Sequence, residues 1–128
     1  MSQRTFPIVG AFYRPPAQTL LSVLPVGTPL TLMAEPDNPY DPNAISVWLK
    51  SKDIPISAHA ELENTLLPFG FDLDQICSQE DWHIGYIPKE IAAVLRANGV
   101  IEPGNEVEVS FAVAPNGSPR VAFAEAPL

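Results

Sequence analysis

Fifteen prolines are spread along the 128 residues of this chain, against only seven glycines. Proline fixes its own backbone φ and has no N–H, so it interrupts helix interiors and is excluded from the middle of sheets. Because the prolines are dispersed rather than clustered, the sequence favours many short elements separated by turns. It disfavours a helical bundle.

The length and the apolar content fit one globular domain. A chain of 128 residues in which 46% are hydrophobic can bury a core without disulfides or metals. We expect a single domain over residues 1–128, with an acidic insert at about residues 51–81.

The single cysteine, Cys77, excludes an internal disulfide and fits a reducing compartment. The sequence contains no run of 18 apolar residues, and its first residues lack the apolar core of a signal peptide. We therefore expect a cytoplasmic protein that makes no contact with a membrane.

The chain is acidic, with 7 basic and 15 acidic residues and a formal net charge of −8. Lysines and arginines that neutralise phosphates supply most non-specific affinity for nucleic acid, so such a chain starts at a disadvantage for DNA or RNA. The acidity is uneven, however. The segment Asp53–Asp81 holds seven acidic residues and no basic one, whereas the rest of the chain is nearly neutral. The sequence therefore does not exclude a locally positive face on the folded domain.

The residue patterns predict five or six short strands. Strand-like segments occur at Phe6–Tyr13, Thr28–Glu35, Ala44–Lys50, His83–Ile87, Asn105–Ala114 and Pro119–Ala124. The last two flank Pro-Asn-Gly-Ser, which is a strong hairpin signal. The chain shows no internal repeat and no alternation of strands with helices, so the strands are expected to pair mainly antiparallel.

One or two helices complete the prediction. The clearest is Pro88–Ala97, which has proline at its first position, apolar residues at helical spacing, and Asn98–Gly99 as a stop. Glu61–Leu67 predicts a second, short helix, and Thr19–Leu24 fits either one helical turn or an extended link. The expected fold class is mostly β with one or two helices, arranged as a small antiparallel barrel of about six strands.

The segment Glu35–Asn43 joins two strand-like runs and is longer than a hairpin turn needs. Its three prolines stiffen it, because each pushes the preceding residue towards extended geometry. It displays Asn38, Tyr40 and Asp41. Two interpretations are open: a recognition surface with an aromatic ring beside a carboxylate, or a capped turn in which Asn and Asp bond their own backbone.

The sequence holds no persuasive catalytic centre. Cys77 and His83 lack the spacing of a known nucleophile–base pair, and together with His59 they match no zinc spacing. Paired carboxylates lie in the acidic segment, where solvated surface is the commoner role. We expect no catalytic residue, no metal and no cofactor, so the chain is not expected to be an enzyme.

Aromatic residues with basic neighbours are more informative. Tyr13 is followed by Arg14, Tyr40 lies on the stiff loop, and Tyr86 precedes Lys89 at a helix start. Single-stranded nucleic acid is bound by ring stacking together with a basic track, and helix N-termini favour phosphate. The alternative is that these tyrosines pack at the edges of the core and do not converge.

Three segments, in chain order, resemble the HIRAN domain: Ile8–Tyr13, Leu32–Val47 and Ile84–Leu95. Their most specific parts are the Asn-Pro-Tyr-Asp-x-Asn-Ala-Ile motif and the downstream Gly-Tyr-Ile-Pro-x-x-x-Ala motif. HIRAN domains occur at the N-termini of helicase-like remodelling ATPases and as standalone bacterial or phage proteins, and this chain looks like the standalone type. The resemblance implies an OB-like barrel.

In eukaryotic members the resemblance implies capture of single-stranded DNA at a free 3′ end. By analogy, Tyr13 and Tyr40 would stack on the terminal bases. Asn38 and Asp41 would lie at the terminal sugar, where an aspartate accepts a hydrogen bond from a 3′-hydroxyl but repels a phosphate. Two further matched positions, Tyr86 and Lys89, would lie along the strand's backbone, together with Arg14 near the first tyrosine.

Two departures bear on this analogy. DNA-binding members carry a basic residue before the first-strand tyrosine, whereas this chain has Phe12 there and Arg14 on the other side. The acidic insert also opposes a polyanion wherever it lies near the groove. No ATPase, helicase or RING motif accompanies the domain, so those activities are not expected of this chain.

The sequence thus predicts a non-catalytic module that captures single-stranded DNA at a free 3′ end, in DNA repair or replication-fork processing. The alternative is a protein-interaction or scaffold domain that kept the fold and lost DNA binding. An enzyme acting on DNA ends ranks third. Candidate partners are single-stranded DNA and a helicase or nuclease, and the chain is expected to be a monomer or a weak oligomer.

Overall fold

A computed structural model describes residues 4–10, 15–70, 74, 78, 81–125 and 127. Six strands occur in these residues: β1 (Thr5–Pro7), β2 (Pro29–Ala34), β3 (Ile45–Lys50), β4 (Asp81–Tyr86), β5 (Glu106–Val113) and β6 (Pro119–Ala122). Three helices accompany them: α1 (Pro15–Val23), α2 (Ile56–Leu66) and α3 (Lys89–Ala97). Single 3-10 turns lie at Ser51–Asp53 and Leu67–Phe69.

The six strands form one sheet in the order β1-β6-β5-β2-β3-β4, and every neighbouring pair is antiparallel. The sheet curls into a half-barrel. This architecture is consistent with a small OB-like fold, so the expected fold class is confirmed. The described residues contain a third helix, α1. It includes most of Thr19–Leu24, the segment for which either a helical turn or an extended link was predicted.

A backbone bridge joins the two edges of the curled sheet. Val9, just after β1, exchanges two hydrogen bonds with Tyr86 at the end of β4, each 2.8 Å long. The first strand was predicted to run through residues 6–13, but β1 ends at Pro7. The pairing partner changes here, because the N–H of Ile8 donates to Pro119 and that of Val9 to Tyr86. Residues 11–14 lie outside the described residues.

Gly85 permits this close approach. A β-carbon at this position would lie 2.6 Å from Cγ2 of Ile8 and 2.7 Å from the carbonyl oxygen of Val9. Neither distance is compatible with van der Waals packing, so only glycine fits between β4 and the segment that crosses it. The sequence showed a glycine inside the strand, and the structure gives its physical reason.

The core fills the inside of the curl. Inward-facing residues of the strands alternate with outward-facing ones, as the period of two in a β-strand requires. Its largest fully buried side chains are Phe6, Phe111, Leu20, Leu30, Leu32, Ile45, Leu49, Leu62, Ile84 and Leu95. Three of these come from helices, one each from α1, α2 and α3, so each helix contributes a leucine to the core.

Helix α2 begins earlier than the sequence predicted. We expected Glu61–Leu67, whereas the helix spans Ile56–Leu66 with Pro55 in extended geometry at its N-cap. Ala58 and Leu62 lie one turn apart and are both buried, and α2 packs against α1. Its first turn carries no large buried residue, because Ile56 is exposed and the buried Ala58 is small, so tertiary packing sets the start of this helix.

Helix α1 also begins early, at Pro15, four residues before the predicted Thr19. The other boundaries agree with the predicted ones within one to two residues. The predicted proline at the first position of the last helix is its N-cap residue, Pro88. The predicted hairpin joins β5 to β6, where Ala114 donates to Ser118 and Gly117 donates to Ala114. No helix in the described ranges has the length and apolar content needed to cross a membrane.

Gly85→Ala is expected to destabilise the fold by about 1–3 kcal/mol or more, because the added methyl overlaps packed backbone. Urea unfolding measures the loss. Amide hydrogen exchange locates it, and protection should fall at Val9 and Tyr86. Gly104→Ala is the control for steric overlap: alanine is also strained at its φ of +84°, but no atom lies within 4 Å of the added carbon, so exchange at the two bridge amides should be unchanged. Unchanged exchange at both bridge amides in Gly85→Ala would contradict the closure role.

Candidate functional site

Two adjoining hollows form an open groove where the loop Glu35–Asn43 meets the end of β4. The first, called here the Lys89 hollow, has a volume of about 570 Å³ and is lined by Val9, Asn38, Tyr40, Asp41, Ala44, Tyr86, Ile87 and Lys89. The second, the Glu35 hollow, has a volume of about 580 Å³ and is lined by Ala34, Glu35, Pro36, Asp37, Asn38, Pro39, Tyr40 and Tyr86. They share Asn38, Tyr40 and Tyr86.

Five of the seven predicted site residues meet in the Lys89 hollow: Asn38, Tyr40, Asp41, Tyr86 and Lys89. They come from the loop, from β4 and from the start of α3, and the loop is more than 40 residues away in sequence from the other two. Tyr13 and Arg14 lie outside the described residues. The structure thus brings the loop and the helix start together, and the roles of all seven residues remain predictions.

Asn38 organises the loop from within. Its side-chain Oδ1 accepts hydrogen bonds from the N–H groups of Tyr40 (2.9 Å) and Asp41 (3.1 Å). Its Nδ2 donates to Oε1 of Glu35 at 3.1 Å, and its own N–H donates to the Glu35 carbonyl. One side chain therefore satisfies two backbone donors and one carboxylate, as asparagine does in turns.

The end of the loop is capped in the same way. Oδ1 of Asp41 accepts from the N–H of Asn43 at 2.9 Å, and the Asp41 carbonyl accepts from Ala44 at 3.1 Å. Within the described part of the chain, Oδ2 of Asp41 makes no hydrogen bond. The capped-turn interpretation thus holds for Asn38 and for one oxygen of Asp41, and the second oxygen remains available.

The loop is also tied to the body of the domain at both ends. The hydroxyl of Tyr86 donates to Oε1 of Glu35 at 3.2 Å, at the start of the loop. Nη1 of Arg96, in the last turn of α3, donates to the carbonyl of Pro42 at 3.0 Å, near its end. Both contacts connect the loop to elements distant in sequence, so its position is fixed by tertiary structure as well as by its prolines.

Tyr40 contributes almost nothing to the fold. Its side chain is 93% exposed, although the backbone that carries it is hydrogen-bonded. A large aromatic ring left in water gains no burial energy, so this ring does not stabilise the fold by burial. The loop therefore holds an exposed aromatic ring in a fixed place.

Tyr86 is held by an aromatic row on the outer face of the sheet. The Trp48 and His83 rings stack with centroids 4.7 Å apart, and the His83 ring meets that of Tyr86 edge-on at 4.8 Å. Nε1 of Trp48 donates to the hydroxyl of Ser46 at 2.8 Å, which anchors the far end of the row. The tyrosine at the floor of the groove is therefore half-buried and pre-oriented.

The charges of the two hollows differ. The Lys89 hollow has one basic and one acidic residue, Lys89 and Asp41. Lys89 is exposed at the first turn of α3, where the first N–H groups of a helix have no partner within it. The Glu35 hollow has two acidic residues, Glu35 and Asp37, and no basic residue among those that line it. Of the two hollows, only the Lys89 hollow is therefore lined by a cation with which an anion can pair.

Sequence reasoning missed three residues of this region. It read Glu35 only as a residue held before a proline, and gave Val9 and Arg96 no role at the groove. An arginine in the last turn of a helix is already explained by its favourable interaction with the helix dipole. Its position in the sequence therefore does not indicate a bond to the loop. No local sequence pattern predicts the Tyr86–Glu35 and Arg96–Pro42 contacts, because the partners are 51 and 54 residues apart in sequence.

Comparison with protein families gives a match over most of the chain. The family model of the HIRAN domain matches residues 4–98, which include β1 through α3 and every residue of the groove. Neither the search of curated proteins nor that of solved structures gave a match. The predicted family resemblance is confirmed by this match.

Asn38→Ala is expected to loosen the loop, because two backbone donors and Glu35 lose their partner. Urea unfolding should show a loss of about 1–2 kcal/mol. Amide exchange should accelerate at Tyr40 and Asp41. The exposed Asn105 supplies the control variant, Asn105→Ala, which should leave both amides unchanged. Unaltered exchange at both amides in Asn38→Ala would contradict the organising role of the Asn38 side chain.

Proposed function

Because this chain belongs to the HIRAN domain family, we propose that it captures single-stranded DNA at a free 3′ end. HIRAN domains are in general modules that bind nucleic acid rather than catalysts. In the proposal, the strand enters the Lys89 hollow and its terminal base stacks on Tyr40. The module performs no chemistry on the end it binds.

One observation carries the proposal: a ring that is 93% exposed stands on a loop whose backbone is already hydrogen-bonded. Base–aromatic stacking contributes about 1–3 kcal/mol per base and requires no particular base. Since the loop is fixed before binding, little conformational entropy is lost when a base is added. The fold gains nothing from the ring, so stacking is the role that explains it.

Lys89 supports a phosphate contact beside the ring. Its ammonium group lies at the start of α3, where the helix dipole and the free N–H groups also favour an anion. A single lysine provides about one ion-pair contact, so affinity is expected to be modest and to fall with salt. This fits a chain whose net charge is −8.

In the proposal, Asp41 distinguishes a 3′-hydroxyl end from a 3′-phosphate end. Oδ1 is occupied by the N–H of Asn43, whereas Oδ2 is available to accept a hydrogen bond from a 3′-hydroxyl. A 3′-phosphate at the same place would bring two negative charges together, which is unfavourable. Asn38 would hold the backbone of Tyr40 and Asp41 in register with the sugar.

Tyr13 and Arg14 complete the proposal by analogy with the family. Val9 lines the Lys89 hollow, and both residues follow within five positions in sequence. Tyr13 would provide the second stacking ring and Arg14 a second cation. We place the whole chain, residues 1–128, in this module, with the acidic segment 51–81 as an insert.

The proposed setting is DNA repair or replication-fork processing, where free 3′ ends are generated. A binding module without catalysis needs an enzyme to act on the end it holds. A helicase or a nuclease is therefore the proposed protein partner.

The second candidate is a protein-interaction domain that keeps the fold without binding DNA. The net charge of −8 and the two carboxylates of the Glu35 hollow favour it, since both oppose a polyanion. Its signature is the absence of oligonucleotide binding at low salt together with a partner recovered in a pull-down.

Tyr40→Ala is expected to abolish most oligonucleotide binding without changing stability. Loss of about 1–3 kcal/mol of stacking raises Kd roughly 5- to 150-fold. Fluorescence anisotropy with a short 3′-hydroxyl strand at low salt measures it. Tyr40→Phe keeps the ring and should bind nearly as the parent does. The thermal midpoint should be the same for all three, because the ring is exposed; equal affinity of the alanine variant would contradict the stacking role.

Asp41→Asn should reduce the preference for a 3′-hydroxyl end over a 3′-phosphate end by about fivefold, the effect of one charge a few ångströms from a phosphate in water. Asparagine retains the oxygen that accepts from Asn43, so the turn is preserved. Two strands that differ only at the 3′ end are titrated against both proteins. Equal binding of both strands by the parent protein would remove the end-capture mechanism.

A further inference from the structure

We infer that the Glu35 hollow is a base subsite, in which Glu35 selects a terminal base that carries an exocyclic amino group. This inference rests on the proposed function, because it concerns the base that stacks on Tyr40. It adds to end capture a preference among strands that have the same sugar and the same phosphates and differ only in the terminal base.

Charge decides which part of a nucleotide the Glu35 hollow can hold. Two residues that line it are acidic, Glu35 and Asp37, and none is basic. A phosphate there would face two carboxylates without a cation, whereas Lys89 stands in the adjoining hollow. The sugar–phosphate backbone is therefore directed to the Lys89 hollow, and only the uncharged base suits the Glu35 hollow.

The position of Glu35 relative to Tyr40 suits this assignment. Asn38 bridges the two residues, since its Nδ2 donates to the Glu35 carboxylate and its Oδ1 accepts from the N–H of Tyr40. The exposed ring of Tyr40 borders both hollows. A base stacked on that ring can therefore turn one edge towards the carboxylate.

The carboxylate is held with one oxygen available. Oε1 of Glu35 accepts from Asn38 at 3.1 Å and from the hydroxyl of Tyr86 at 3.2 Å. Oε2 makes no hydrogen bond with any of the residues that the structure describes. The side chain is half-buried, so its second oxygen is a fixed acceptor at the side of the groove.

An acceptor of this kind distinguishes the bases. Carboxylates pair with the N4 amino group of cytosine, and the amino groups of adenine and guanine are donors of the same type. Thymine has no amino group, and its pairing edge carries two carbonyl oxygens on either side of one N–H. Those oxygens would face the carboxylate unfavourably, so a terminal thymine is expected to bind more weakly.

The test uses four strands of the same length with free 3′-hydroxyl ends, which differ only in the last base. The parent protein should bind the strand that ends in dC about five- to tenfold more tightly than the strand that ends in dT, in line with the discrimination of a single base contact. In Glu35→Gln this preference should fall to about twofold or less, because the amide offers a donor as well as an acceptor.

Two controls keep this result specific. Glu61→Gln removes the same charge from exposed surface of α2, outside both hollows, and should leave the preference intact. A strand that ends in N4,N4-dimethylcytosine has no amino donor and should bind as weakly as dT to the parent protein. This strand tests the subsite even if Glu35→Gln fails to fold.

The outcomes separate this inference from the proposed function. If all four strands bind the parent protein equally, the base subsite is wrong, whereas the proposed binding of single-stranded DNA is unaffected. If the preference survives in Glu35→Gln, or if Glu61→Gln lowers it equally, Glu35 is not the selecting residue. If no strand binds at low salt, the proposed function fails and the base subsite fails with it.

Discussion

The two hydrogen bonds between Val9 and Tyr86 are the constraint on which the groove depends. They join the edges of a curled sheet at a point where Gly85 removes the β-carbon that would keep the chains apart. Tyr86 is thereby fixed at the floor of both hollows, with its hydroxyl towards Glu35. Closing the sheet and forming the site are thus one structural event.

Stability and recognition are divided between neighbouring groups of the loop. Asn38, the Glu35 carboxylate oxygen Oε1 and one oxygen of Asp41 are used to hold the backbone. The ring of Tyr40 is exposed, and the second carboxylate oxygens of Glu35 and Asp41 make no hydrogen bond within the described residues. In the proposed function these groups contact the strand, and each residue that carries one is anchored by another of its atoms.

The sequence predicted those parts of the structure that have local signals. Strand alternation, the hairpin turn and the stop after α3 follow from short-range chemistry, and the loop motif with the Gly-Tyr-Ile-Pro start indicated five residues that do meet in one hollow. Contacts set by tertiary packing were not predictable in this way. The early start of α2, the Arg96–Pro42 bond and the role of Gly85 depend on residues distant in the chain.

Helix α3 acts on the groove at both of its ends. Its first residue, Lys89, lines one hollow, and Arg96 in its last turn holds the carbonyl of Pro42, two residues beyond Tyr40. A short helix is stiff, so a shift of its C-terminal end would move the stacking ring and the cation together. In the proposed function, a partner protein that contacts the C-terminal end of α3 would therefore change DNA binding without entering the groove.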